Sequence, residues 1–437
     1  MLRKIALCIT LGGFSLIFAL AVAGNTNKAK DEITFAKHIA PIFQRSCEEC
    51  HRAGGLAPMA LVKYEEARPW ARAIREKVAN RTMPPFHATG AIGRYQGDPR
   101  LTDEEIATIT KWVDSGAAKG NVKDMPKPRV WSDDWIKGAP DLIIKAKQPY
   151  TVKPDPKDHY VFFLFDYVFP EDTWINTMET RPGNRAAVHH ANLHLVPPGF
   201  TAPPDGIIEG WIDPTARGTI LLSGWVPGVQ PAAFPQETAI RIPKGMRLGI
   251  QMHYAPTDQE RTDQTSVGVY LANGTINKQV RVLMGDRRDL VVPPNDANYS
   301  LTTERVFDKD DAVINIFHVH MHYRGKSYSF RFTYPDGRVE TVLEVPSYSF
   351  NWQRGYVLNT PLHVPKGTKV EYIGTFDNSA KNKFNPDPTQ TIKWGENTTN
   401  EMMQGRIFYE FANEKLNLQV KNGRVVKTDF NGASRPN

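Results

Sequence analysis

The chain has 437 residues, of which 41% are hydrophobic and 23% are charged, and its formal net charge is +7. This balance excludes a disordered chain and a polytopic membrane protein, and the length suits two or three domains. Cysteine occurs only three times, at Cys8, Cys47 and Cys50, so a fold built on disulfides is excluded. No basic run interleaved with aromatic residues points to nucleic acid.

The N-terminus has the order of a secretory signal peptide. Arg3 and Lys4 precede an apolar run over residues 5–23 that ends in small residues. We predict cleavage after Ala23, so that residues 1–23 are the signal peptide and the mature protein is periplasmic or secreted. The alternative is an uncleaved anchor, since the run is just long enough to span a membrane.

The remaining cysteines lie in a Cys-x-x-Cys-His sequence formed by Cys47, Cys50 and His51. This spacing is the attachment signature for haem c, in which two thioethers hold the porphyrin and the histidine ligates the iron. A thiol–disulfide pair would not need the histidine, and a zinc site would need a second cysteine pair. The sequence therefore predicts covalently attached haem.

Helical patterns lie on both sides of this motif. Apolar residues at helical spacing precede it over 35–43, and a helix-start signal at 101–105 opens a second helix that ends near Gly116. A helix on each side of the haem motif resembles the class I cytochrome c family. The resemblance covers residues 31–119 and implies an all-α cytochrome c domain there.

A cytochrome of this family usually supplies a methionine as the second axial ligand. Met83 lies in Thr-Met-Pro-Pro, where two prolines stiffen the loop and suit a fixed thioether. Met59, eight residues after His51, is the alternative. A methionine in either place also suits simple packing, and we predict Met83 as the ligand.

The sequence changes character beyond residue 120. Residues 120–130 are short, polar and proline-bearing, which is typical of a linker. After them, short alternating segments broken by proline and glycine replace the helical pattern, as in residues 328–334. We therefore predict all-β sandwiches over the rest of the chain.

Histidines cluster in this β-rich region. His318, His320 and His322 alternate along one predicted strand, so that their imidazoles face the same side and suit a metal ion. His189 and His190 are adjacent and would face opposite sides of a regular strand. Their joint ligation therefore requires a twist or a β-bulge.

A further histidine, His253, lies on the polar face of another predicted strand. Its other face carries Leu248, Ile250 and Met252. Alone, His253 would suit a surface or hydrogen-bonding role, so a metal role depends on its companions.

The order of four motifs resembles the copper type II monooxygenases, the family of peptidylglycine α-hydroxylating monooxygenase and dopamine β-monooxygenase. The motifs are His-His at 189–190, Met-His-Tyr at 252–254, His-Met-His at 320–322 and Glu-Met at 401–402. The resemblance covers residues 131–415 and implies tandem jelly-roll sandwiches, which we place at residues 131–285 and 286–430.

The resemblance also implies two copper ions, one for electron transfer and one that activates dioxygen. Imidazole suits both oxidation states of copper, and a thioether favours Cu(I). His318 is an alternative ligand, because it shares a face with His320. The implied ligands are His189, His190 and His253 for the first copper, and His320, His322 and Met402 for the second, which are also the implied catalytic residues.

The chain departs from this family in two respects. The family's disulfides are absent, because no cysteine remains in the β-rich region. His318 and Arg406 stand where the peptide-hydroxylating members have their substrate-binding arginine and tyrosine, so a peptidylglycine substrate is not implied. We expect Arg406 to be a surface arginine in an ion pair, with a contact to an anionic substrate as the alternative.

Together these features predict an exported copper monooxygenase. It would hydroxylate a C–H bond of a small organic substrate with dioxygen, and an electron donor, either a small reductant or a redox protein, would act through the attached haem. A non-enzymatic role in electron transfer or copper handling is the main alternative. An iron or zinc oxygenase or hydrolase is less consistent with the thioether of Met402.

Overall fold

The computed structural model describes residues 32–428, except residues 54, 56, 131–134, 156–158, 211, 213, 227–230, 232–233 and 396–397. The predicted signal peptide, residues 1–23, lies outside the described residues. Within the described part of the chain, none of the helices has the length and apolar character needed to cross a membrane.

The chain is mostly β-structure, with 41% of residues in strands and 12% in helices. The predicted fold class, with an N-terminal all-α cytochrome c domain before the sandwiches, is therefore wrong. The helices in the N-terminal region are short and joined by non-helical chain. They are α1 (Ala40–Ser46), α2 (Tyr64–Ala67), α3 (Ala71–Ala79) and α4 (Asp103–Asp114), with single turns of π- or 3-10 helix at Phe35–Ile39, Arg68–Trp70 and Val122–Asp124.

The strands follow in two groups, and a further 3-10 turn lies at Thr215–Arg217. The first group is β1 (Leu142–Lys145), β2 (Tyr150–Val152), β3 (His159–Val168), β4 (Thr173–Arg181), β5 (Val188–Val196), β6 (Ile207–Glu209), β7 (Ile220–Trp225), β8 (Thr238–Ile242), β9 (Arg247–Tyr254), β10 (Arg261–Asp263), β11 (Ser266–Leu271), β12 (Gly274–Ile276) and β13 (Lys278–Gln279). The second group is β14 (Arg281–Asp286), β15 (Val291–Val292), β16 (Tyr299–Val306), β17 (Ala312–His320), β18 (Gly325–Thr333), β19 (Val339–Val345), β20 (Gly355–Val364), β21 (Lys369–Phe376), β22 (Ile392–Lys393), β23 (Gln404–Phe411), β24 (Leu418–Lys421) and β25 (Arg424–Thr428).

Each group forms a sandwich of two sheets. The first sandwich pairs the sheet β1-β11-β4-β8-β13 with the sheet β6-β3-β9-β5-β7, and the second pairs β14-β23-β17-β20 with β16-β21-β18-β19. The inward side chains of the first sandwich, such as Phe163, Leu193 and Ile250, form one buried core, and those of the second, such as Phe317 and Phe330, form another. Alternation of apolar and polar residues along these strands produces the two cores.

The last two strands return to the first sandwich. β24 pairs with β12 and with β25, and Leu418 and Val420 pack against Trp174. The predicted second subdomain, residues 286–430, therefore includes two strands that are bonded to the first sandwich.

The N-terminal region is attached to the second sandwich by its non-helical segment, residues 84–100. Tyr95 forms a β-bridge with Leu358 of β20, and the backbone N–H of Thr89 donates to the carbonyl of Glu344 at 2.8 Å. The prolines that open this segment and its glycines at 90, 93 and 97 disfavour a helix, so its backbone groups pair with β19 and β20 instead. This pairing is the reason that the region does not close into a separate all-α unit.

Replacing a glycine on β23 would test how closely the second core is packed. A Cβ atom at Gly405 would lie 2.5 Å from the Tyr328 hydroxyl and 2.6 Å from Cδ1 of Tyr372. We expect Gly405→Ala to lower the free energy of unfolding by about 1–3 kcal/mol, because the core must shift to admit the methyl group. Gly355→Ala is the matched control, since its Cβ meets only Ile316 at 3.4 Å. Urea unfolding curves in which both variants match the parent protein would contradict this account.

Candidate metal sites

Three imidazoles converge in the first sandwich. The Nδ1 atoms of His189, His190 and His253 lie 3.1–3.2 Å from one another. The centre of such a triangle is about 1.8 Å from each nitrogen in the plane, so an ion slightly above it would make bonds of about 2.0 Å, the usual metal–imidazole length. The structure therefore brings together the predicted first ligand set, and the same residues form a group with metal-binding spacing.

A β-bulge makes this convergence possible. The pairing of β5 with β9 shifts register between Val188 and His190, so that His190 lies opposite His253. The extra residue in β5 is His189, which turns toward the same side as His190 instead of the opposite one. The irregularity that the adjacent histidines require is thus present in the strand.

Burial and a stacked aromatic ring define the surroundings of this cluster. Burial, followed by the nearby His253 and His189, lowers the pKa of His190 well below its usual range. The ring of Tyr160 on β3 stacks on His253 with 4.2 Å between ring centroids. Three imidazoles whose nitrogens converge at this spacing form a suitable set of metal ligands.

The second histidine pair lies at the end of β17. His320 is the last residue of this strand and His322 lies just beyond it, with 5.1 Å between the two ring centroids. His320 donates from Nδ1 to the side-chain oxygen of Gln353, and His322 donates from Nδ1 to the carbonyl of Asn400 at 3.3 Å. Because Nδ1 carries the proton in both rings, Nε2 is the nitrogen that each offers to a metal.

Met402 is linked to this pair by hydrogen bonds to the side chain of the preceding residue, Glu401. The Glu401 carboxylate accepts backbone N–H bonds from His322 at 2.9 Å, from Arg324 at 2.6 Å and from Met402 at 3.2 Å. Glu401 is fully buried, and burial raises its pKa to about 8 despite these bonds. Met402 is 2% exposed and lines the same pocket as the two histidines, so the three residues of the predicted second ligand set face one cavity.

One aromatic ring lies between the two sets. Phe350, in the loop between β19 and β20, has its ring centroid 6.1 Å from that of His190, 6.0 Å from that of His253 and 6.1 Å from that of His322. The loop that carries Phe350 also carries Gln353, the acceptor for His320. A single loop therefore positions residues of both candidate metal sites.

Two further histidines and an arginine line the pocket of the second pair. His194, His318 and Arg406 are 3%, 6% and 5% exposed. Arg406 donates to the side-chain oxygen of Gln404 at 2.6 Å and lies 3.4 Å from Nδ1 of His318. The expectation of a surface arginine is therefore wrong, because β23 places Arg406 directly opposite His318 on β17.

The Cys-x-x-Cys-His motif follows α1 as a single tight turn. The backbone N–H groups of Cys50 and His51 both donate to the carbonyl of Cys47, which places the two thiols on neighbouring positions of one turn. Burial raises the pKa of Cys47 to about 12 and also raises that of Cys50. Thiols that resist ionisation are poor redox nucleophiles, so this environment does not suit a thiol–disulfide pair.

The histidine of this motif is oriented as an iron ligand requires. His51 donates from Nδ1 to the backbone carbonyl of Met59 at 3.2 Å, which leaves Nε2 for the iron. The backbone of Met59 thus lies behind the imidazole, on the side away from Nε2. Met83 is 41% exposed, so its assignment as the distal ligand stays a prediction, with Met59 as the alternative.

Several residues of these sites gave no signal in the sequence. Phe350 and Gln353 lie in a loop without a motif, and only the fold places them beside the histidines. Glu401 belongs to the quoted Glu-Met motif, but its three backbone acceptor bonds depend on where the turn after β17 lies. His194 follows the His-His motif by four residues, but its place in the same pocket as Arg406 depends on contact between the two sandwiches.

Comparisons with known proteins assign no family. No family model and no curated protein match the chain. Among the solved structures that are similar, the STIV MCP has 9% identity and a TM-score of 0.25, and the match covers 63% of this chain and 95% of that chain. The infectious bursal disease virus VP2 subviral particle has 9% identity and a TM-score of 0.19, with 64% of this chain and 74% of that chain covered. BpGH86A, a beta-porphyranase from Bacteroides plebeius, has 10% identity and a TM-score of 0.16, with 63% of this chain and 38% of that chain covered. At these identities and TM-scores the similarity carries no argument about fold or function.

The Glu401 carboxylate provides a test of the second site. Glu401→Gln keeps one oxygen acceptor but turns an NH2 group toward a backbone donor. We expect metal affinity at the second site to fall by about 10–100-fold, the usual effect of disturbing groups that orient metal ligands. The first cluster should keep its affinity, and metal titration of the apo-protein measures both. Equal loss at both sites would contradict a local role for Glu401.

Proposed function

We propose that this protein is a copper-dependent monooxygenase that hydroxylates a C–H bond of a small organic substrate with dioxygen. The observation that carries the proposal is the presence of two different ligand sets around Phe350. One set offers three Nδ1 atoms, and the other offers two Nε2 atoms and the thioether of Met402.

The two sets suit different tasks. Three converging imidazoles accept copper in both oxidation states with little rearrangement, which suits electron transfer. Two imidazoles with a thioether favour Cu(I) and leave positions open, which suits a reaction with dioxygen. Bound copper would supply the oxygen chemistry. The residues around it orient the imidazoles through Gln353 and Asn400.

Haem attached at Cys47 and Cys50 would provide the one-electron supply. Burial raises the pKa of Cys50, and the charge of Arg354 opposes this rise, so Arg354 lies within electrostatic range of the haem-attachment motif. Arg354 follows Gln353 directly, and the loop that orients His320 therefore lies near this motif. This proximity supports delivery of electrons through the attached haem.

Two adjacent methionines provide a matched test of the second site. Met402 lines the metal pocket, whereas Met403 lies in the core of the second sandwich. We expect Met402→Leu to remove the copper–sulfur scattering of the Cu(I) protein in X-ray absorption. It should also lower reductant-dependent dioxygen consumption by about 100-fold or more, because the soft ligand is lost. Met403→Leu should keep both signals, and a copper–sulfur signal that survives in Met402→Leu would refute the assignment.

The haem motif provides a separate test of electron supply. Replacing Cys47 and Cys50 by serine prevents covalent attachment, while the copper ligands lie elsewhere and should bind as before. We expect this variant to lose turnover with a redox-protein donor and to keep turnover with a small reductant such as ascorbate. Stopped-flow measurements with each donor check this, and unchanged turnover with the protein donor would contradict delivery of electrons through the haem.

A further inference from the structure

A buried imidazole in the segment of residues 84–100 belongs to neither copper ligand set. His87 lies between Phe86, which packs against the core of the second sandwich, and Ala88, which is part of that core. The Nε2 atom of His87 is buried and has no hydrogen-bond partner among the described residues. A buried polar nitrogen without a partner is costly, so this atom points to a ligand that completes its bonding.

The ring of His87 is held by the loop between β19 and β20. Burial, and then the charge of Arg354, lowers the pKa of His87, and a hydrogen bond to the backbone of Ser347 opposes this. A backbone group that raises the pKa of an imidazole accepts a hydrogen bond from it. Because Nε2 has no partner, Nδ1 makes this bond and Nε2 keeps a free lone pair. His87 therefore offers the same nitrogen as His51, whose Nδ1 also donates to a backbone carbonyl.

Hydrogen bonds place His87 near the helix that leads into the haem-attachment motif. Arg45 of α1 lies two residues before Cys47, and its guanidinium donates to the backbone carbonyl of Arg100 at 3.4 Å. The guanidinium of Arg100 donates in turn to the carbonyl of Ala88 at 3.2 Å, directly after His87. Two arginine side chains therefore span the distance from α1 to the backbone next to His87.

Arg354 gives a second indication of the same proximity. Its guanidinium lies 4.9 Å from the ring of Phe86, the residue before His87. Burial raises the pKa of Cys50, and the charge of Arg354 opposes this rise. One arginine is thus in electrostatic range of both His87 and the haem-attachment motif.

The chemistry of the side chain also suits iron. Imidazole is a good ligand for iron, and a ligand of a haem enclosed by protein is shielded from water. The Nε2 atom of His87 is buried, whereas Met83, four residues earlier, is 41% exposed. The histidine therefore fits this role better than the methionine that the sequence favours.

We propose that His87 binds the haem iron through Nε2 as the second axial ligand, in place of a methionine. One iron ligand, His51, then comes from the turn after α1, and the other comes from the segment attached to the second sandwich. The inference rests on the haem attachment that is part of the proposed function, and it does not depend on the copper chemistry.

This ligation would connect the haem with the second copper site. The loop between β19 and β20 orients one ligand of each metal, since Ser347 accepts from His87 and Gln353 accepts from His320. A methionine ligand raises the reduction potential of a c-type haem, so a second histidine keeps that potential lower. The reduced haem is then a stronger electron donor to copper.

The test begins with the full-length protein as purified. The pyridine haemochrome spectrum counts covalently attached haem, and absorption and electron paramagnetic resonance report the spin state and ligands of the ferric iron. We expect a low-spin haem that lacks the sulfur-to-iron charge-transfer band of a methionine ligand. That band, or a high-spin haem, in the parent protein would overturn the inference and leave the proposed function intact.

Variants identify the ligand. His87→Ala should lose the low-spin signal, bind carbon monoxide when reduced, and regain the low-spin signal with added imidazole. His38→Ala is the matched control, because His38 lies in the same region and its Nδ1 accepts the backbone N–H of Thr34 at 3.0 Å. It should leave the haem spectrum unchanged, and Met83→Leu should do the same.

A second substitution keeps a ligand at this position. His87→Met should gain the sulfur-to-iron charge-transfer band and raise the reduction potential of the haem. If His87→Ala does not accumulate as a folded holo-protein, the parent spectrum and His87→Met decide the question. A low-spin spectrum that is unchanged in either His87 variant would refute ligation by His87. Absence of covalent haem from the parent protein would refute both this inference and the haem-dependent part of the proposed function.

Discussion

The candidate chemistry of this protein depends on one irregularity in one strand. Without the bulge between Val188 and His190, a regular β5 would direct His189 and His190 to opposite faces. With it, three Nδ1 atoms meet within 3.2 Å of one another beside Phe350. β-Bulges are frequent next to active sites, where they redirect a side chain, and this one turns His189 to the side of His190.

The two ligand sets came from the resemblance to the copper type II monooxygenases, which four short motifs in the right order carry. His253 could be assigned only with its companions, and the need for a bulge at the adjacent pair followed from strand geometry. Phe350 and Gln353 were beyond prediction, because their roles come from contacts between segments that are far apart in the chain. Arg406 was misjudged, because burial of a charged residue depends on the pairing of β17 with β23.

In the N-terminal region, the local helices were predicted but the fold class was not. Helical patterns around Cys47 and Cys50 led to the resemblance to class I cytochromes c, which implied an all-α domain, and short helices do pack on a small core there. The segment after Met83 instead forms backbone bonds with the second sandwich, as in the bridge from Tyr95 to Leu358. Local periodicity carries no information about such long-range pairing, so the fold class was wrong although the haem motif stays a prediction.

Metal analysis combined with electron paramagnetic resonance on the purified full-length protein tests the central claim most directly. The account predicts two copper ions and one haem iron per chain, with Cu(II) signals from nitrogen-ligated sites that disappear on reduction. Zinc in the histidine clusters, or no copper after reconstitution, would contradict it.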